Sequence, residues 1–154
     1  MITPHSYVLL SSNGESDNKL NAFDSALQSA GVADFNYITV SSILPVGCKR
    51  GEPEDIASIK AGSFMYCVMS KISSDVKGET ISSAIACAKT LETVGLISEY
   101  SGHCQGHEAE RRATDMVRTM AKARGATIGS VETTSTELTV EECGCCVSLC
   151  LLLY

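Results

Sequence analysis

The stretch Phe35-Asn-Tyr-Ile-Thr-Val-Ser-Ser-Ile-Leu-Pro45 decides which fold and which chemistry we expect of this chain. Residues 35–40 are rich in aromatic and β-branched side chains, which are typical of a strand. Two adjacent serines, Ser41 and Ser42, stop this run. Serines at a strand end often satisfy nearby backbone groups, and that is one interpretation. The other is chemical, because a chain held tightly here brings the Ser42 hydroxyl onto the carbonyl carbon of Ser41.

Such an attack by Ser42 has a definite chemical requirement and a definite product. It creates an oxyanion on Ser41, which needs a preorganised hydrogen-bond donor. Asn36, five residues before Ser41, is the candidate donor. The resulting ester can undergo β-elimination to a dehydroalanine, which hydrolyses to a pyruvoyl group at a new N-terminus. That carbonyl is an electron sink comparable in role to pyridoxal phosphate.

Outward from this stretch, hydrophobic patterns predict a layered α+β chain. Helices are expected at 20–30, from Gly78 through an apolar stripe to Ala88, and at 107–124. Strands are expected at 7–10, 35–43, 63–70, 94–100, 126–140 and 143–154, the last two as antiparallel neighbours, and residues 11–18 read as a polar loop. This order predicts sheet surfaces covered by three helices.

Length and composition set the class of protein. At 154 residues with a net charge of −6, the chain suits one domain and lacks the basic face that nucleic-acid binding requires. No apolar run approaches the roughly 18 residues of a membrane span, and residues 1–6 do not resemble a secretory signal. We therefore expect a cytoplasmic protein with neither a membrane nor a nucleic-acid partner.

The eight cysteines are expected to be reduced thiols that act mostly as small core side chains. Two clusters invite a metal interpretation: Cys143-Gly-Cys-Cys146, and His103 and Cys104 with His107. Neither has the partner pair of a structural zinc site, so we predict no metal. The motifs of common nucleotide-binding and hydrolase sites, GxxxxGK[ST], GxGxxG, HExxH and GxSxG, are absent from the sequence.

Several ordered stretches resemble the pyruvoyl-dependent arginine decarboxylase family. They are Leu20-Asn-Ala-Phe-Asp-Ser-Ala-Leu27, Ala30-Gly31, Asn36, Val40-Ser-Ser-Ile-Leu-Pro45, Gly78-Glu-Thr-Ile-Ser82, Gly95-Leu-Ile-Ser-Glu-Tyr100, Cys104 and Glu108-Ala-Glu110. The resemblance extends over nearly the whole chain. It implies a four-layer αββα sandwich that forms one domain over residues 1–154 and assembles as a homotrimer or a dimer of trimers, with active sites shared between subunits.

The same resemblance implies self-cleavage between Ser41 and Ser42. The products would be a β chain of residues 1–41 and an α chain of residues 42–154, which begins with a pyruvoyl group derived from Ser42. The implied reaction converts L-arginine to agmatine and carbon dioxide through an imine with that group, either for polyamine biosynthesis or for acid consumption. No other cofactor is implied.

Residue roles follow from the resemblance position by position. Asn36 matches the asparagine linked to self-cleavage, and Glu99 matches the acid that protonates the substrate's α-carbon. Asp24 matches the carboxylate that pairs with the guanidinium group, a pairing that can be bidentate. The remaining expected substrate-binding residues are Leu20, Leu27, Phe35 and Ile43; helical spacing puts the two leucines near Asp24 on one face.

Two alternatives stay open at this point. Phe35 and Val46 depart from the family pattern, and a Phe35 ring facing the pocket would favour a shorter amino acid than arginine. The chain can also be read as an unprocessed, noncatalytic subunit that only assembles with other chains. An uncut chain of 16.3 kDa would favour this second reading.

Overall fold

Two β-sheets pack face to face, and one helix covers the outer surface of each, in a computed structural model that describes residues 2–154. The strands are β1 (Ser6–Ser16), β2 (Asn36–Thr39), β3 (Ile43–Leu44), β4 (Lys49–Arg50), β5 (Phe64–Ser74), β6 (Thr80–Thr90), β7 (Gly95–Gly102), β8 (Ile128–Thr139) and β9 (Cys143–Leu153). The helices are α1 (Lys19–Ser29) and α2 (Gly106–Ala123), with a short 3₁₀ helix at Pro53–Ile56.

The strand order defines the two sheets. The first sheet runs β2-β5-β9-β1-β4, and the second runs β3-β7-β6-β8. At the centre of the first sheet, β9 lies antiparallel to both β1 and β5. All eleven residues of β9 are buried, which explains the apolar C-terminal segment.

Three layers of apolar side chains hold these four layers together. Between α1 and the first sheet lie residues such as Val8, Ala26, Leu27, Met65 and Leu149. Between the sheets lie Tyr7, Leu44, Val68, Ile85 and Ile97, and between the second sheet and α2 lie Ala84, Ala86, Leu96, Ala113 and Val117. The expected four-layer αββα arrangement is confirmed.

The two helices begin and end where their sequences predict. The side chain of Asn18 caps α1 by accepting a 2.9 Å hydrogen bond from the backbone N–H of Asn21. Gly31 then follows the last turn with φ of +71°, a conformation that favours glycine. In α2, alanines and a valine recur at helical spacing on the buried face, so this helix approaches its sheet closely.

The helix expected from Gly78 to Ala88 is wrong, because this segment is strand β6. Its side chains alternate: Ile85 faces the core between the sheets, while Ala84 and Ala86 face α2. Since both faces are buried, residues 84–88 are apolar without interruption, and the period of the segment cannot be read from the sequence. Gly78, with φ of +86°, belongs to the turn that precedes the strand.

The polar loop expected at residues 11–18 is also wrong for most of its length. Strand β1 continues to Ser16, which pairs with Cys143 of β9. Gly14 does not form a turn here; it allows α1 to lie close to β1. A Cβ atom at Gly14 would lie 2.5 Å from the backbone nitrogen of Ala26.

Strands β8 and β9 are present as expected, but they are not neighbours. Strand β8 pairs with β6 in the second sheet, whereas β9 lies between β1 and β5 in the first. The short connection at 140–142 therefore passes from one sheet to the other. Within residues 2–154, no helix is long and apolar enough to cross a membrane.

Candidate active site at the crossing between the sheets

The serine doublet lies where the chain passes from the first sheet to the second. Strand β2 is the edge of the first sheet and runs parallel to β5. Strand β3 is the edge of the second sheet and runs antiparallel to β7. The continuous strand expected at 35–43 is thus wrong: residues 40–42 link two short strands of different sheets.

Backbone hydrogen bonds hold this crossing at both ends. The N–H of Val40 donates to the carbonyl oxygen of Cys67 in the first sheet, at 2.9 Å. The N–H of Ile97 in the second sheet donates to the carbonyl oxygen of Ser42, also at 2.9 Å. The Ser41–Ser42 peptide bond lies between these two attachments, so the packing of the two sheets fixes its position.

A tight turn surrounds the same peptide bond. The N–H of Ile43 donates to the carbonyl oxygen of Ser41 at 3.0 Å, the i to i+2 bond of a γ-turn centred on Ser42. Ser41 is exposed and Ser42 is half-buried. A hydrogen bond to this carbonyl polarises the carbon atom that the Ser42 hydroxyl would attack.

Glu99 lies on the strand next to the crossing. It is two residues beyond Ile97 in β7 and therefore points to the same face of the sheet. Because Ile97 packs between the sheets, Glu99 lies at the open edge of that inter-sheet space. Although its side chain is exposed in the single chain, partial loss of hydration raises its pKa above the usual glutamate value.

Asn36 does not lie beside Ser41 within one chain. Its side-chain amide donates to the carbonyl oxygen of Gly62 at 2.9 Å, at the start of β2. Five residues of extended chain separate Asn36 from Ser41, which corresponds to about 16 Å. An asparagine side chain does not bridge that distance.

Asp24 lies on the outer surface of α1, and the first sheet separates this helix from the crossing. Its carboxylate accepts a hydrogen bond from Gln28 one turn later. Leu20 is 75% exposed on the same helix, whereas Leu27 is buried in the core between α1 and the first sheet. Only Leu20 therefore shares the exposed surface with Asp24, and the expected pair of framing leucines is not present there.

The two other expected substrate-binding residues lie where β2 and β3 begin. Phe35 packs against the core between α1 and the first sheet, so its ring does not face Ser42 of its own chain. Ile43 begins β3, pairs with Leu96 of β7 and is 39% exposed. Val46, which also departs from the family pattern, is 75% exposed in the loop that follows.

The structure thus places Ser41, Ser42 and Ile43 in one turn that is bonded to the strand of Glu99, and it leaves Asn36 and Asp24 elsewhere on the same chain. Sequence reasoning missed the backbone groups of Ile43 and Ile97. Backbone N–H groups are present in nearly every residue, so no side-chain pattern could have identified them.

The cysteines and histidines considered for metal binding lie away from this crossing. Cys143, Cys145 and Cys146 are buried in β9, and burial raises the pKa of Cys146 to about 12. His103 lies 3.4 Å from a carboxylate oxygen of Glu79, before the start of α2. Among residues 2–154 no group of three or more histidine, cysteine or acidic side chains is arranged to hold a metal ion.

Comparison with known proteins gives matches over nearly the whole chain. A family model for pyruvoyl-dependent arginine decarboxylase matches residues 6–154. A protein of that name from Methanocaldococcus jannaschii is 36% identical over 153 residues, which cover 98% of this chain and 91% of that protein. A second, from Pyrococcus furiosus, is 34% identical over 142 residues, covering 92% and 89% of the two chains.

One solved structure supports the fold. The chain resembles a pyruvoyl-dependent histidine decarboxylase with a TM-score of 0.51 and 16% sequence identity. The likeness covers 62% of this chain and 53% of the other. At this identity the similarity concerns the arrangement of strands and helices.

Proposed function

The chain belongs to the pyruvoyl-dependent arginine decarboxylase family, and on that premise we propose that it is a lyase that cuts itself and then decarboxylates L-arginine to agmatine. The observation that carries the proposal is the position of the serine doublet. It lies at the crossing between β2 and β3, fixed to both sheets and next to the strand that bears Glu99.

Self-cleavage uses Ser42 and the peptide bond before it. The Ser42 hydroxyl oxygen bonds to the Ser41 carbonyl carbon, and the C–N bond between the two residues breaks, which leaves an ester and a free amine. Elimination then removes the α-proton of residue 42 and breaks its Cβ–O bond, so the former hydroxyl oxygen stays with the new carboxylate of Ser41. Water hydrolyses the remaining enamine, releases ammonia and leaves the pyruvoyl group on residue 42. The products are residues 1–41 and residues 42–154.

The surroundings of residue 42 fit such a group. The Ile97 N–H holds the carbonyl oxygen of residue 42, and β3 pairs with β7 directly after it, so cutting the preceding bond leaves this end attached. Once formed, the pyruvoyl ketone supplies an electron sink for the bond that breaks when carbon dioxide leaves. Among residues 2–154, Glu99 has no side-chain hydrogen bond or ion pair that would compete for its proton.

We assign Glu99 the delivery of a proton to the substrate's α-carbon. A general acid has to be protonated at the working pH, and the raised pKa of Glu99 keeps the proton on it at higher pH than an ordinary glutamate would. Asp24 would bind the guanidinium end of arginine, whose planar donors match a carboxylate. Phe35 is not an argument against arginine as the substrate, since its ring packs into the core of its own chain.

The separation of Asp24 and Asn36 from Ser42 supports a site built from two copies of the chain. Leu20 and Asp24 are exposed on α1, and Ile38 and Phe64 are exposed at the β2 edge. In a homotrimer, or a dimer of trimers, these surfaces of one subunit would meet the Ser42 and Glu99 of its neighbour. A cytoplasmic location is part of the same proposal.

The decisive experiment is an intact-mass spectrum of the purified protein under denaturing conditions. We expect two chains, residues 1–41 with a free carboxylate and residues 42–154 with a pyruvoyl end, and agmatine on addition of arginine. Ser42→Ala should give one uncut chain and no activity, while its circular dichroism matches the wild type. A wild-type chain that stays whole, or activity retained in Ser42→Ala, would refute the proposal.

A further inference from the structure

The γ-turn at the serine doublet supplies a hydrogen-bond donor for self-cleavage. The carbonyl oxygen of Ser41 would carry the negative charge after attack by Ser42, and the N–H of Ile43 already donates to this oxygen at 3.0 Å. No other backbone donor to it is present in the described part of the chain, residues 2–154. The side-chain amide of Asn36 in the same chain is bonded to Gly62 instead.

The donor is held in place before the reaction begins. The 2.9 Å bond from Ile97 fixes the carbonyl of Ser42, and β3 fixes Ile43 and Leu44 against β7. The N–H of Ile43 therefore cannot turn away without breaking the strand pairing. A fixed donor of this kind stabilises developing charge without a reorganisation cost at the moment of reaction.

We propose that the backbone N–H of Ile43 is an oxyanion donor for cleavage of the Ser41–Ser42 bond, an inference that rests on the proposed self-processing. The hydrogen bond strengthens as the Ser41 oxygen gains charge, because a bond to an ionised acceptor is stronger than one to a neutral carbonyl. This donor serves the cut alone. Once the bond is broken, the Ser41 oxygen belongs to the C-terminal carboxylate of the β chain, so decarboxylation does not depend on the donor.

The test replaces the amide by an ester at residue 43, using the α-hydroxy acid that corresponds to isoleucine. This change removes the N–H and keeps the side chain. We expect cleavage at Ser41–Ser42, followed by mass spectrometry, to slow by about 10²- to 10³-fold. The same replacement at exposed Val46 is the matched control and should cut at the wild-type rate. Turnover per processed chain should be unchanged in the Val46 control.

A wild-type cleavage rate in the ester at 43 would overturn the inference and leave the proposed function intact. If wild-type protein itself is not cut, the proposed function fails instead. Should the ester chain not fold, amide hydrogen exchange in the uncut Ser42→Ala chain decides the matter. The Ile43 amide should then exchange far more slowly than the Val46 amide, and equal rates would overturn the inference.

Discussion

The carbonyl oxygen of Ser42 accepts a 2.9 Å hydrogen bond from the N–H of Ile97, two residues before Glu99 on the same strand. This bond joins the residue that would become the cofactor to the strand that carries the acid. Because it involves the carbonyl of residue 42 and not its nitrogen, loss of that nitrogen during processing leaves it intact. The position of residue 42 relative to the strand of Glu99 is therefore set before the chain is cut.

Glu99→Gln should lower kcat for arginine by about 10²- to 10⁴-fold, counted per processed chain, because the amide cannot donate the proton as an acid. In the wild type, kcat should fall as the pH rises through the raised pKa of Glu99, since the ionised form has no proton to give. A pH profile with agmatine detection measures both. A descending limb at the ordinary glutamate pKa would contradict the assignment.

The pKa of Glu99 has a second consequence, for stability. In the pH range between its unfolded and folded pKa values, the folded chain binds the extra proton, so the free energy of unfolding should decrease as the pH rises through that range. Glu99→Gln should remove this part of the dependence. Denaturant titrations of the uncut Ser42→Ala chain, with and without Glu99→Gln, compare the two directly.

Asp24→Ala should raise KM for arginine roughly 10- to 100-fold, the cost of losing a charge-assisted hydrogen bond, with self-cleavage unchanged. Asp115→Ala is the matched control. Asp115 is an exposed helical acid that pairs with Arg111 on α2 at 3.0 Å. Steady-state kinetics of both variants test the assignment, and an unchanged KM in Asp24→Ala would rule it out.

A site shared between subunits predicts complementation. Asp24→Ala and Glu99→Gln should each be poorly active alone, but coexpression should recover activity, because some sites then combine an intact Glu99 from one copy with an intact Asp24 from its neighbour. Native mass spectrometry verifies that mixed assemblies form. Mixed assemblies without recovered activity would place both residues in one subunit's site.

Gly14→Ala should lower the free energy of unfolding by about 1–3 kcal/mol, because the added methyl meets the backbone of α1. Gly129→Ala in β8 is the matched control. Its new Cβ would lie 2.8 Å from the end of Leu91, an exposed side chain that can move, so we expect a change within about 0.5 kcal/mol. Denaturant unfolding of the uncut Ser42→Ala background compares the two.

A buried tyrosine predicts a separate pH dependence. The hydroxyl of fully buried Tyr7 donates to Glu132 at 2.8 Å. Partial burial opposes ionisation of Glu132, but the bond from Tyr7 and the charges of Lys89 and Arg50 outweigh it and lower its pKa. Stability from this group is complete above the unfolded pKa and is lost as the pH falls through the folded pKa.

Glu132→Leu should abolish that acid dependence and leave the Tyr7 hydroxyl without its partner, at a cost of about 1–3 kcal/mol. Adding Tyr7→Phe removes the orphaned hydroxyl and should recover part of the loss. Urea titrations at several pH values measure the wild type, Glu132→Leu, Tyr7→Phe and the double variant. If the double variant is less stable than the two single changes predict together, the hydrogen bond is not the source of the effect.

The sequence predicts those elements that have one apolar face. Helices α1 and α2 are amphipathic and are followed by glycine, so their positions are confirmed within a few residues. Strand β6 is buried on both faces, which removes the periodicity that separates strands from helices. The crossing at 40–42 was missed because a β-rich run looks the same whether its strands share a sheet or not.

The sequence could identify candidate residues of the site, but it could not show which of them lie close together. Ser42 is joined to the strand that carries Glu99 because β3 pairs with β7, a contact between residues more than fifty positions apart. In the proposed shared site, the positions of Asn36 and Asp24 would depend on which surfaces two copies bring together, and no local pattern in one chain's sequence encodes that arrangement. The donor role of the Ile43 N–H depends on the γ-turn centred on Ser42. A pair of adjacent serines in a sequence does not by itself predict such a turn.

Strand β1 makes the assembly of the cut protein depend on the folding of its uncut precursor. All eleven of its residues pair with β9, and its other edge meets β4, so the β chain would sit inside a sheet made mostly from the α chain. A single covalent chain can insert this strand as it folds. After processing, unfolding would also be dissociation, and reassembly would depend on the concentration of two separate peptides. Each active molecule would therefore have folded as a single uncut chain before it was processed.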